Sequence, residues 1–479
     1  MTTVNPIKFG TDGWRGIIAA DFTFDRVALL APLAAQVLAD NYGQITGSRT
    51  MIVGYDRRFM AEDFAQTAAE SLQKAGFDVL LSQSYAPTPA FSWAARSENA
   101  LGAIVLTASH NPAKYLGLKV KGYFGGSVSP EITQQIEALL SNPPQFNAAA
   151  GKLSTFEPWS SYCQGLRQKV NIAAIANAIE SGQLKVYSDV MHGAAATGLE
   201  RLLGVGITEL RGNRDPLFGG GSPEPLPRNL REIIDKLAHS ANLAPLRVGL
   251  VFDGDSDRVA AIDGRGNFLS TQNLIPILIE HLAGKKGMRG EIVKTVSGSD
   301  LIPKLASLYG LSVFETPIGY KYIADRMLTT PVLIGGEESG GVGYGTHIPE
   351  RDALLSALYV LEAVVESGQD LSDLYAQLQD KTGFHSEYDR IDLPLANMEA
   401  RDQLITALDR EPLREIAGKQ VTDCNTMDGY KFRLEDGSWL LIRFSGTEPV
   451  LRLYCESSTL DRVDEILAWL LNNGKTLLK

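Results

Sequence analysis

The run Met51-Ile52-Val53-Gly54-Tyr55 and the amphipathic segment that follows it, residues 61–75, decide the fold class of this chain. A short, continuous apolar run is typical of a strand that is buried on both faces. The segment after it repeats apolar residues at helical spacing and precedes a glycine, which is favoured where helices end. The residues on the apolar helical face are Phe64, Ala68, Leu72 and Ala75, and the glycine is Gly76. A strand followed by a helix is the building unit of α/β sheets.

Similar strand-like runs, separated by amphipathic stretches, continue through most of the chain. They are Val79–Leu81, Ala103–Leu106, Val186–Asp189, Val248–Phe252, Ile292–Lys294 and Val332–Ile334. This alternation predicts parallel α/β sheets. A polar, proline-bearing stretch at 141–144, a restart near Thr271 and a linker-like stretch at 383–390 divide the pattern into successive domains.

The residues after that linker follow a different pattern. Tyr430–Leu434 and Trp439–Arg443 flank a turn with Asp-Gly, which predicts a β-hairpin, and Val450–Cys455 predicts a further strand. The closing helix is expected to bury Val463, Ile466, Leu467, Leu470 and Leu471. We therefore expect an α/β fold with three similar mixed α/β domains, residues 1–150, 151–268 and 269–382, and a C-terminal α+β domain, residues 383–479.

Composition argues against several classes of protein. The 479 residues carry a formal net charge of −11, and no Lys/Arg run provides the basic face of a nucleic-acid binder. No apolar run approaches the roughly 18 residues that predict a membrane span. The three cysteines, Cys163, Cys424 and Cys455, form no CxxC pair, and the N-terminus lacks the features of a signal peptide. We expect a cytoplasmic protein that binds neither nucleic acid nor membranes.

Three carboxylates, Asp253, Asp255 and Asp257, follow one of the predicted strands at alternate positions. Because they leave the strand end together, they can converge on one point, where a hard divalent cation would relieve their repulsion. The same spacing opens an EF-hand loop, but Arg258 and Gly264 stand where that motif requires glycine and glutamate. A solvated acidic loop is the simpler alternative. Ligands of α/β folds bind at the carboxyl ends of strands, which favours the metal site.

Ser109 stands at a strand-to-loop corner in the hexapeptide 107–112 (TASHNP). The small residue before it lets its hydroxyl point outward, although a turn with a capping serine would explain the same residues. The hexapeptide is not the Gly-x-Ser-x-Gly elbow of esterases. Beside a cation held by three aspartates, a phosphorylated serine would have its charge neutralised during phosphoryl transfer.

Two further loops suit a phosphorylated, polyhydroxyl ligand. In residues 443–449 (RFSGTEP), backbone N–H groups and two hydroxyls can surround a phosphate, and Arg443 adds a bidentate donor. A plain β-turn is the alternative there. In residues 335–341 (GGEESGG), Glu337 and Ser339 can hydrogen-bond to sugar hydroxyls. The glycines that follow lack the GxGxxG spacing and the βαβ context of a dinucleotide site.

In their order along the chain, these motifs resemble those of the α-D-phosphohexomutase superfamily, and the resemblance extends over the whole length. Its N-terminal signature, phosphoserine loop, metal loop, sugar-specificity loop and phosphate-binding loop are similar to residues 9–16 (FGTDGWRG), 107–112, 253–258, 336–340 and 443–448. Smaller similarities lie at Thr316–Lys321 and at Asp189 with His192 and Gly193.

The resemblance implies four domains around a central active-site cleft and a phosphohexose mutase that acts on small hexose phosphates. A phosphate carried by Ser109 would pass to the sugar, and glucose 1,6-bisphosphate would be the intermediate and activator. The Mg²⁺ ligands implied are the phosphorylated Ser109, Asp253, Asp255 and Asp257. The residues implied around the reacting phosphate are Arg15, His110, Lys119 and Arg258, of which His110 and Lys119 are candidates for proton handling. The residues implied to bind substrate are Lys321, Glu337, Ser339, Arg351, Arg443, Ser445, Gly446, Thr447 and Arg452.

The sequence departs from the motifs of individual family branches at positions that concern the substrate. The loop Glu337-Glu338-Ser339 lacks the glutamine of the glucosamine-phosphate branch, and Gly341 stands where a bacterial glucose/mannose branch has histidine. Residues 347–352 (HIPERD) resemble the glucose-specific type, with Arg351 in place of the usual lysine, and Leu116 replaces a common asparagine. We expect phosphoglucomutase activity, with a phosphomannomutase or a dual-specificity hexose mutase as the near alternative.

Functions of two other classes fit the same motifs less well. A catalytically silent phosphosugar-binding protein would not need the serine and all three aspartates. A Mg²⁺-dependent phosphatase would require the phosphoserine to react with water. The sequence makes no prediction of the oligomeric state.

Overall fold

The computed structural model of the protein describes residues 5–10, 13–444 and 449–477. The chain forms two compact units. The first comprises the residues up to Glu291 together with Gly319–Leu374, and the second comprises Ile292–Ile318 and the residues from Tyr375 onward. In the described part of the chain, no helix combines the length and the apolar character needed to cross a lipid bilayer.

The first unit begins with a six-stranded sheet. Its strands are β1 (Trp14–Ile17), β2 (Thr50–Tyr55), β3 (Asp78–Ser82), β4 (Gly102–Leu106), β5 (Tyr115–Gly122) and β6 (Leu153–Phe156). The helices of this segment are α1 (Phe24–Thr46), α2 (Ala61–Lys74), α3 (Thr88–Ser97) and α4 (Pro130–Leu139). The strand order is β1-β5-β4-β2-β3-β6, in which β2 is parallel to β3 and β4, whereas β5 is antiparallel to β4 and β1. The predicted parallel pairing is confirmed around β2, and the β4–β5 hairpin makes the sheet mixed.

A second sheet of the same unit contains the strand predicted at Val248–Phe252. Its strands are β7 (Leu184–Asp189), β8 (Thr208–Leu210), β9 (Leu246–Phe252), β10 (Val259–Ile262) and β11 (Phe268–Leu269). The accompanying helices are α5 (Trp159–Arg167), α6 (Ile172–Glu180), α7 (Gly198–Leu203) and α8 (Arg231–Ala238), with 3-10 turns at Phe218–Gly220 and Pro227–Asn229. The order is β11-β10-β9-β7-β8, with β9 parallel to β7 and antiparallel to β10.

The next stretch of chain contributes to both units. Its elements are α9 (Thr271–Ile279), a π-helical segment (Glu280–Lys285), β12 (Glu291–Thr295), α10 (Leu301–Leu308), β13 (Val313–Thr316), α11 (Tyr320–Thr329), β14 (Val332–Gly336), β15 (Val342–Gly343), α12 (Ala353–Ser367) and α13 (Leu371–Thr382). Within the first unit, β14 is antiparallel to β15. Within the second unit, β12 is parallel to β13 from Ile292 onward.

The second unit ends in an antiparallel sheet with two helices, as expected for an α+β segment. Its elements are β16 (Glu387–Pro394), α14 (Met398–Arg410), β17 (Glu415–Ile416), β18 (Lys419–Asn425), β19 (Tyr430–Leu434), β20 (Trp439–Phe444), β21 (Val450–Ser457) and α15 (Leu460–Leu477). The strand order is β16-β21-β20-β19-β18-β17, and the predicted β19–β20 hairpin is confirmed.

Two expectations for this segment were wrong in detail. The predicted linker 383–390 already contains the start of β16, because the chain pairs with β21 from Glu387 onward. On α15, four of the five predicted apolar residues are buried, but Leu471 is 39% exposed. With 3.6 residues per turn, Leu471 points about 90° away from the centre of the buried stripe.

Each of these layers is held by apolar packing between sheet and helices. In the first sheet, Leu33 of α1 and Phe64 of α2 belong to one buried cluster with Ile104 and Leu118 from the strands. Full burial of one such side chain stabilises a fold by roughly 1.5–3 kcal/mol. The packed sheets fix the strand ends from which the polar loops described below extend.

Candidate active site

The three aspartates lie in the tight turn that joins the antiparallel strands β9 and β10. Asp253 Oδ1 accepts hydrogen bonds from the backbone N–H of Asp257 (3.1 Å) and of Arg258 (3.2 Å), which curls the turn around this carboxylate. Asp253, Asp255 and Asp257 are fully buried, and each offers an oxygen within 4.8 Å of the others. The structure therefore brings the three carboxylates together, as their spacing predicts.

Ser109 lies in the loop that joins β4 and β5 and faces the aspartate turn. Its Oγ donates to Asp253 Oδ2 at 2.7 Å and lies 3.3 Å from His110 Nδ1. The residue is 1% exposed, and its backbone adopts the left-handed conformation, with φ of 50°. This conformation is costly for a residue with a side chain and is often found at functional sites.

Two cationic side chains contact the same carboxylates. Lys119 Nζ, from β5, donates to Asp255 Oδ2 (2.8 Å) and to Asp257 Oδ2 (2.9 Å). Arg351 Nη2 lies 2.7 Å from Asp257 Oδ2. Because buried charges are tolerated only when they are paired, these two cations help to stabilise two of the three buried carboxylates, Asp255 and Asp257.

The remaining carboxylate oxygens are suited to a divalent cation. Asp255 Oδ1 and Asp257 Oδ1 are buried and accept no hydrogen bond within the described residues, although Arg258 Nε lies 3.9 Å from the latter. A buried, unsatisfied carboxylate oxygen is unfavourable, and hard cations such as Mg²⁺ prefer such oxygens as ligands. The side chains that could hold the cation are therefore the three aspartates, with Ser109 beside Asp253.

The surroundings shift the pKa values of two of these carboxyl groups in opposite directions. Burial, together with the neighbouring Asp257 and Asp255, raises the pKa of Asp253 well above its ordinary value. Burial also acts on Asp255, but the contacts with Lys119 and Thr88 outweigh it and hold the pKa of Asp255 below its ordinary value. A bound cation would favour the ionised form of Asp253, because metal ligation requires a deprotonated carboxylate.

His110 is kept neutral by its neighbours. The positive charge of Arg258, followed by burial and by Arg15, lowers the pKa of His110 well below its ordinary value. Arg15 itself, on β1, donates to the Asn111 side chain in the serine loop. A neutral imidazole beside the serine hydroxyl can accept a proton, whereas an imidazolium cannot.

The predicted sugar loop follows β14 and lies against the aspartate turn. Val259 N donates to Gly340 O at 3.0 Å, and Arg258 forms a β-bridge with Gly341. Glu337 Oε1 accepts from the N–H of Gly319 at 3.0 Å, at the start of α11. Ser339 is half-buried in the same loop. Lys321 was expected to bind substrate, and its Nζ lies over the ring of Tyr322, 4.9 Å from the centroid.

Glu337 titrates in an unusual range for a carboxyl group. Burial raises its pKa to about 7, although Arg351 opposes this shift and Glu338 adds to it. The neutral acid is therefore favoured in the folded protein, so this group stabilises the fold below its unfolded pKa, and that contribution is lost as the pH rises through about 7. The ionised form, which accepts hydrogen bonds most strongly, predominates only above about 7.

If Glu337 binds substrate hydroxyls as the sequence predicts, kcat/KM should fall about tenfold per pH unit below pH 7, because the ionised carboxylate is the form that accepts their hydrogen bonds. In Glu337→Gln, the fall of kcat/KM below pH 7 should disappear, and kcat/KM should be low at every pH. The Tm at pH 8 should rise, because the buried carboxylate charge is removed. Measurement of kcat/KM from pH 5.5 to 9 tests this expectation. Glu209→Gln is the matched control, since burial also raises the pKa of that carboxyl group but Glu209 lies outside the aspartate turn and the sugar loop. An unchanged pH profile in Glu337→Gln would contradict the assignment.

The absence of a side chain at Gly341 has a steric reason. A Cβ at this position would lie 2.3 Å from Arg351 Cδ, so the arginine passes through the space that any larger residue would fill. Arg351 follows Glu350, whose carboxylate forms a fully buried ion pair with Lys121 Nζ at 2.5 Å. The segment 350–351 is thus fixed on one side by Lys121 and on the other by Asp257.

The predicted phosphate loop belongs to the second unit. Ser445, Gly446 and Thr447 lie outside the described residues. Arg443 and Arg452 flank them and stand directly opposite each other on β20 and β21. Arg443 Nε bonds Asp428 Oδ2 at 3.0 Å, and Arg452 Nε lies 4.0 Å from Asp392 Oδ2. Like charges directly opposite on a sheet are unfavourable, and the nearby Asp428 and Asp392 offset part of this repulsion.

Several polar residues that contact the serine loop and the aspartate turn were not predicted from the sequence. Thr88, at the start of α3, donates through Oγ1 to Asp255 Oδ2 at 2.6 Å. Asp56 and Arg58, just after β2, contact the serine loop, and Lys121 holds Glu350. Two weak sequence signals could have pointed to these residues. They are the charged residues at the end of an apolar strand and the lysines that alternate with apolar residues on β5.

Four family models match consecutive parts of the chain. They describe phosphoglucomutase/phosphomannomutase α/β/α domains I, II and III, over residues 6–145, 160–266 and 271–382, and the C-terminal domain, over residues 398–472. The domain boundaries given above stay a prediction.

Individual proteins with similar sequences or structures were also found. A phosphoglucomutase/phosphomannomutase of Thermococcus kodakarensis is 30% identical over 472 residues, which is 96% of each chain. A phosphoglucosamine mutase of Thermotoga neapolitana is 27% identical over 467 residues, again 96% of each. A crystal structure from Thermus thermophilus, assigned as a phosphomannomutase, superposes with a TM-score of 0.84 at 33% identity and covers 99% of this chain and 100% of that one.

Proposed function

The chain belongs to the phosphoglucomutase/phosphomannomutase family of intramolecular phosphotransferases, and from this premise we propose that it interconverts glucose 1-phosphate and glucose 6-phosphate. The observation that carries the proposal is the contact of the Ser109 hydroxyl with Asp253, at 2.7 Å, inside a buried cluster of three carboxylates. A hydroxyl nucleophile beside a cation site is the arrangement that phosphoryl transfer requires.

In this proposal Ser109 carries a phosphate between turnovers. The bond between phosphorus and Ser109 Oγ breaks as the free sugar hydroxyl attacks, and the hydroxyl proton leaves to a base. His110 is the favoured base, because it is neutral, whereas Lys119 donates its protons to Asp255 and Asp257. The glucose 1,6-bisphosphate then reorients, and Ser109 Oγ attacks the phosphorus of its other phosphate. The bond between that phosphorus and the sugar oxygen breaks, and the protonated base returns its proton to the sugar oxygen.

Charge balance supports a divalent cation in this site. Three ionised aspartates and a phosphate dianion carry about five negative charges. Lys119, Arg258 and Arg351 supply positive charge at the turn, and Mg²⁺ held by Asp253, Asp255, Asp257 and the phosphorylated serine would supply the rest. When bound, Mg²⁺ stabilises the charge that develops on the transferring phosphoryl group.

Substrate recognition is assigned to the sugar loop and the arginines of the second unit. Glu337 and Ser339 would accept from and donate to ring hydroxyls that keep similar positions in both orientations of the sugar. Arg443, Arg452 and the loop 445–447 would bind the phosphate that is not being transferred, since two directly opposed arginines favour an anion.

Glucose is favoured over the related sugars by two features. The loop lacks the glutamine of the glucosamine-phosphate branch, and the glucose-type segment 347–352 reaches the aspartate turn through the contact between Arg351 and Asp257. The relative named phosphoglucomutase/phosphomannomutase supports mannose phosphate as the near alternative, and the relative named phosphoglucosamine mutase adds glucosamine phosphate as a further candidate substrate.

The proposal is tested by measuring kcat/KM for the 1-phosphates of glucose, mannose and glucosamine, each with Mg²⁺ and a trace of the matching 1,6-bisphosphate. We expect glucose 1-phosphate to be the best substrate by at least about tenfold. A preference for mannose or glucosamine would overturn the substrate assignment and leave the mutase chemistry intact. Release of inorganic phosphate without isomerisation would indicate a phosphatase and reject the mutase.

A further inference from the structure

Arg58 is completely buried and donates to backbone carbonyls throughout the serine loop. Its Nη2 donates to Ser109 O (2.6 Å) and Asn111 O (2.7 Å). Its Nη1 donates to Pro112 O (3.2 Å) and Tyr115 O (3.1 Å). The guanidinium also lies over the ring of Phe218, 4.8 Å from the centroid. A charged group without solvent exposure is retained where it is paired and hydrogen-bonded, and the four hydrogen bonds of the two Arg58 Nη atoms all go to one loop or its flanking strand residue.

Asp56 contacts the same loop through Thr107. Its Oδ2 accepts from Thr107 Oγ1 at 2.6 Å, and that hydroxyl oxygen in turn accepts from Ser109 N at 2.9 Å. Asp56 Oδ1 accepts from Arg58 N at 2.9 Å, and its Oδ2 lies 3.4 Å from Arg58 Nε. The amide and the carbonyl of Ser109 are therefore both held, through one connected network.

This network surrounds the residue whose backbone is strained. Ser109 has a φ of 50°, and a left-handed conformation is unfavourable for a residue with a side chain, so it persists only where the surroundings enforce it. Gly254 in the aspartate turn comes so close that a Cβ there would lie 2.4 Å from Ser109 O. The serine carbonyl is thus confined between Arg58 and the turn, while the Ser109 hydroxyl contacts Asp253.

We propose that Arg58, Asp56 and Thr107 are positioning residues that hold Ser109 in its left-handed conformation and so aim its Oγ at the carboxylate cluster. Their contacts with Ser109 are to its backbone amide and carbonyl, and none is to its Oγ. The network therefore persists whether the serine carries a phosphate or has just lost it, and the same oxygen returns to the same place in both half-reactions. This inference rests on the proposed phosphoserine chemistry and adds residues to it.

The sharpest test compares Thr107→Val with Thr107→Ser. Valine removes the hydroxyl that links Asp56 to the Ser109 amide, whereas serine keeps it. We expect Thr107→Val to lower kcat about a hundredfold, the size expected when a reacting group is misplaced by roughly 1 Å. KM for glucose 1-phosphate and the Kd for Mg²⁺ should stay within about twofold, and Thr107→Ser should restore most of kcat. Equal kcat in the two variants would overturn the proposal.

Arg58→Lys gives an independent test, because a single ammonium keeps the charge but cannot reach four carbonyls. We expect kcat and the rate of Ser109 phosphorylation by glucose 1,6-bisphosphate, followed by intact mass, to fall together. Arg247→Lys is the matched control, since Arg247 likewise donates to loop carbonyls (Ala241 O, Ala244 O and Gly264 O) but at the other end of β9.

The outcomes separate this proposal from the proposed function. If the wild type isomerises no hexose phosphate and takes up no phosphate on Ser109, the function itself fails. If the wild type is active and the Arg58 and Thr107→Val variants match it in kcat, only the positioning role fails. If Arg58→Lys does not fold, the comparison of Thr107→Val with Thr107→Ser alone tests the positioning role.

Discussion

Replacing Ser109 by alanine is expected to lower turnover by about a thousandfold or more, because it removes the oxygen that would carry the phosphate. The hydroxyl donates to Asp253 and lies 3.3 Å from His110 Nδ1, whereas the hydrogen bonds of the Ser109 amide and carbonyl are kept by alanine. The variant should therefore fold, with Tm changed by no more than a few degrees. Steady-state assays with glucose 1-phosphate and intact-mass measurement after incubation with glucose 1,6-bisphosphate test both parts.

The matched control is Ser188→Ala, on β7. That serine is also buried, and its hydroxyl has no hydrogen-bond partner among the described residues, so its loss should leave turnover unchanged. Near-normal turnover in Ser109→Ala would reject Ser109 as the phosphate carrier. A phosphate found on another residue of the active wild-type protein would do the same.

Asp255→Asn is expected to weaken Mg²⁺ binding and to lower turnover together. Asp255 Oδ2 accepts from Thr88 and Lys119, and Oδ1 is the buried oxygen left for a cation. The amide keeps the shape but removes the negative charge. We expect the apparent Kd for Mg²⁺ to rise by at least about tenfold. Even substitutions of residues that only hydrogen-bond to metal ligands lower metal affinity by about tenfold to a hundredfold. Titration calorimetry with Mg²⁺ and the Mg²⁺ dependence of kcat measure it.

Asp263→Asn controls for the general effect of removing a buried charge. Asp263 lies directly after β10, is fully buried and accepts hydrogen bonds from Arg265 N and Asn267 N, at the opposite end of that strand from the aspartate turn. Its substitution should change stability and leave the Kd for Mg²⁺ unaltered. If Asp255→Asn bound Mg²⁺ as tightly as the wild type, the ligand assignment would be wrong.

Much of the architecture follows from local sequence. Strands β2, β3, β4, β7, β9, β12 and β14 and the β19–β20 hairpin were predicted because apolar runs, helical spacing and an Asp-Gly turn report local preferences. The strand β5 was not predicted, since its lysines, Lys119 and Lys121, interrupt the apolar pattern. These lysines are buried by ion pairs with Asp255, Asp257 and Glu350, which lie far away in sequence. A single sequence does not reveal such pairs.

In the candidate site, too, some features follow from local sequence and others depend on contacts between distant segments. The convergence of Asp253, Asp255 and Asp257 was predictable, because alternate residues at a strand end share one direction. The roles of Thr88 and Arg58 depend on which loops the fold brings together, and neither residue stands in a recognisable motif. The crowding of Arg351 over Gly341 is likewise a property of packing, although the sequence marked both positions as unusual.

The central claim is that Ser109 and the three aspartates bind one divalent cation. An anomalous difference map from crystals containing Mn²⁺ in place of Mg²⁺ tests it most directly. We expect one strong peak at about 2.1 Å from an oxygen of each aspartate and from Ser109 Oγ or its phosphate. A peak elsewhere in an active, metal-loaded protein, or a Ser109 side chain beyond reach of the ion, would contradict the account.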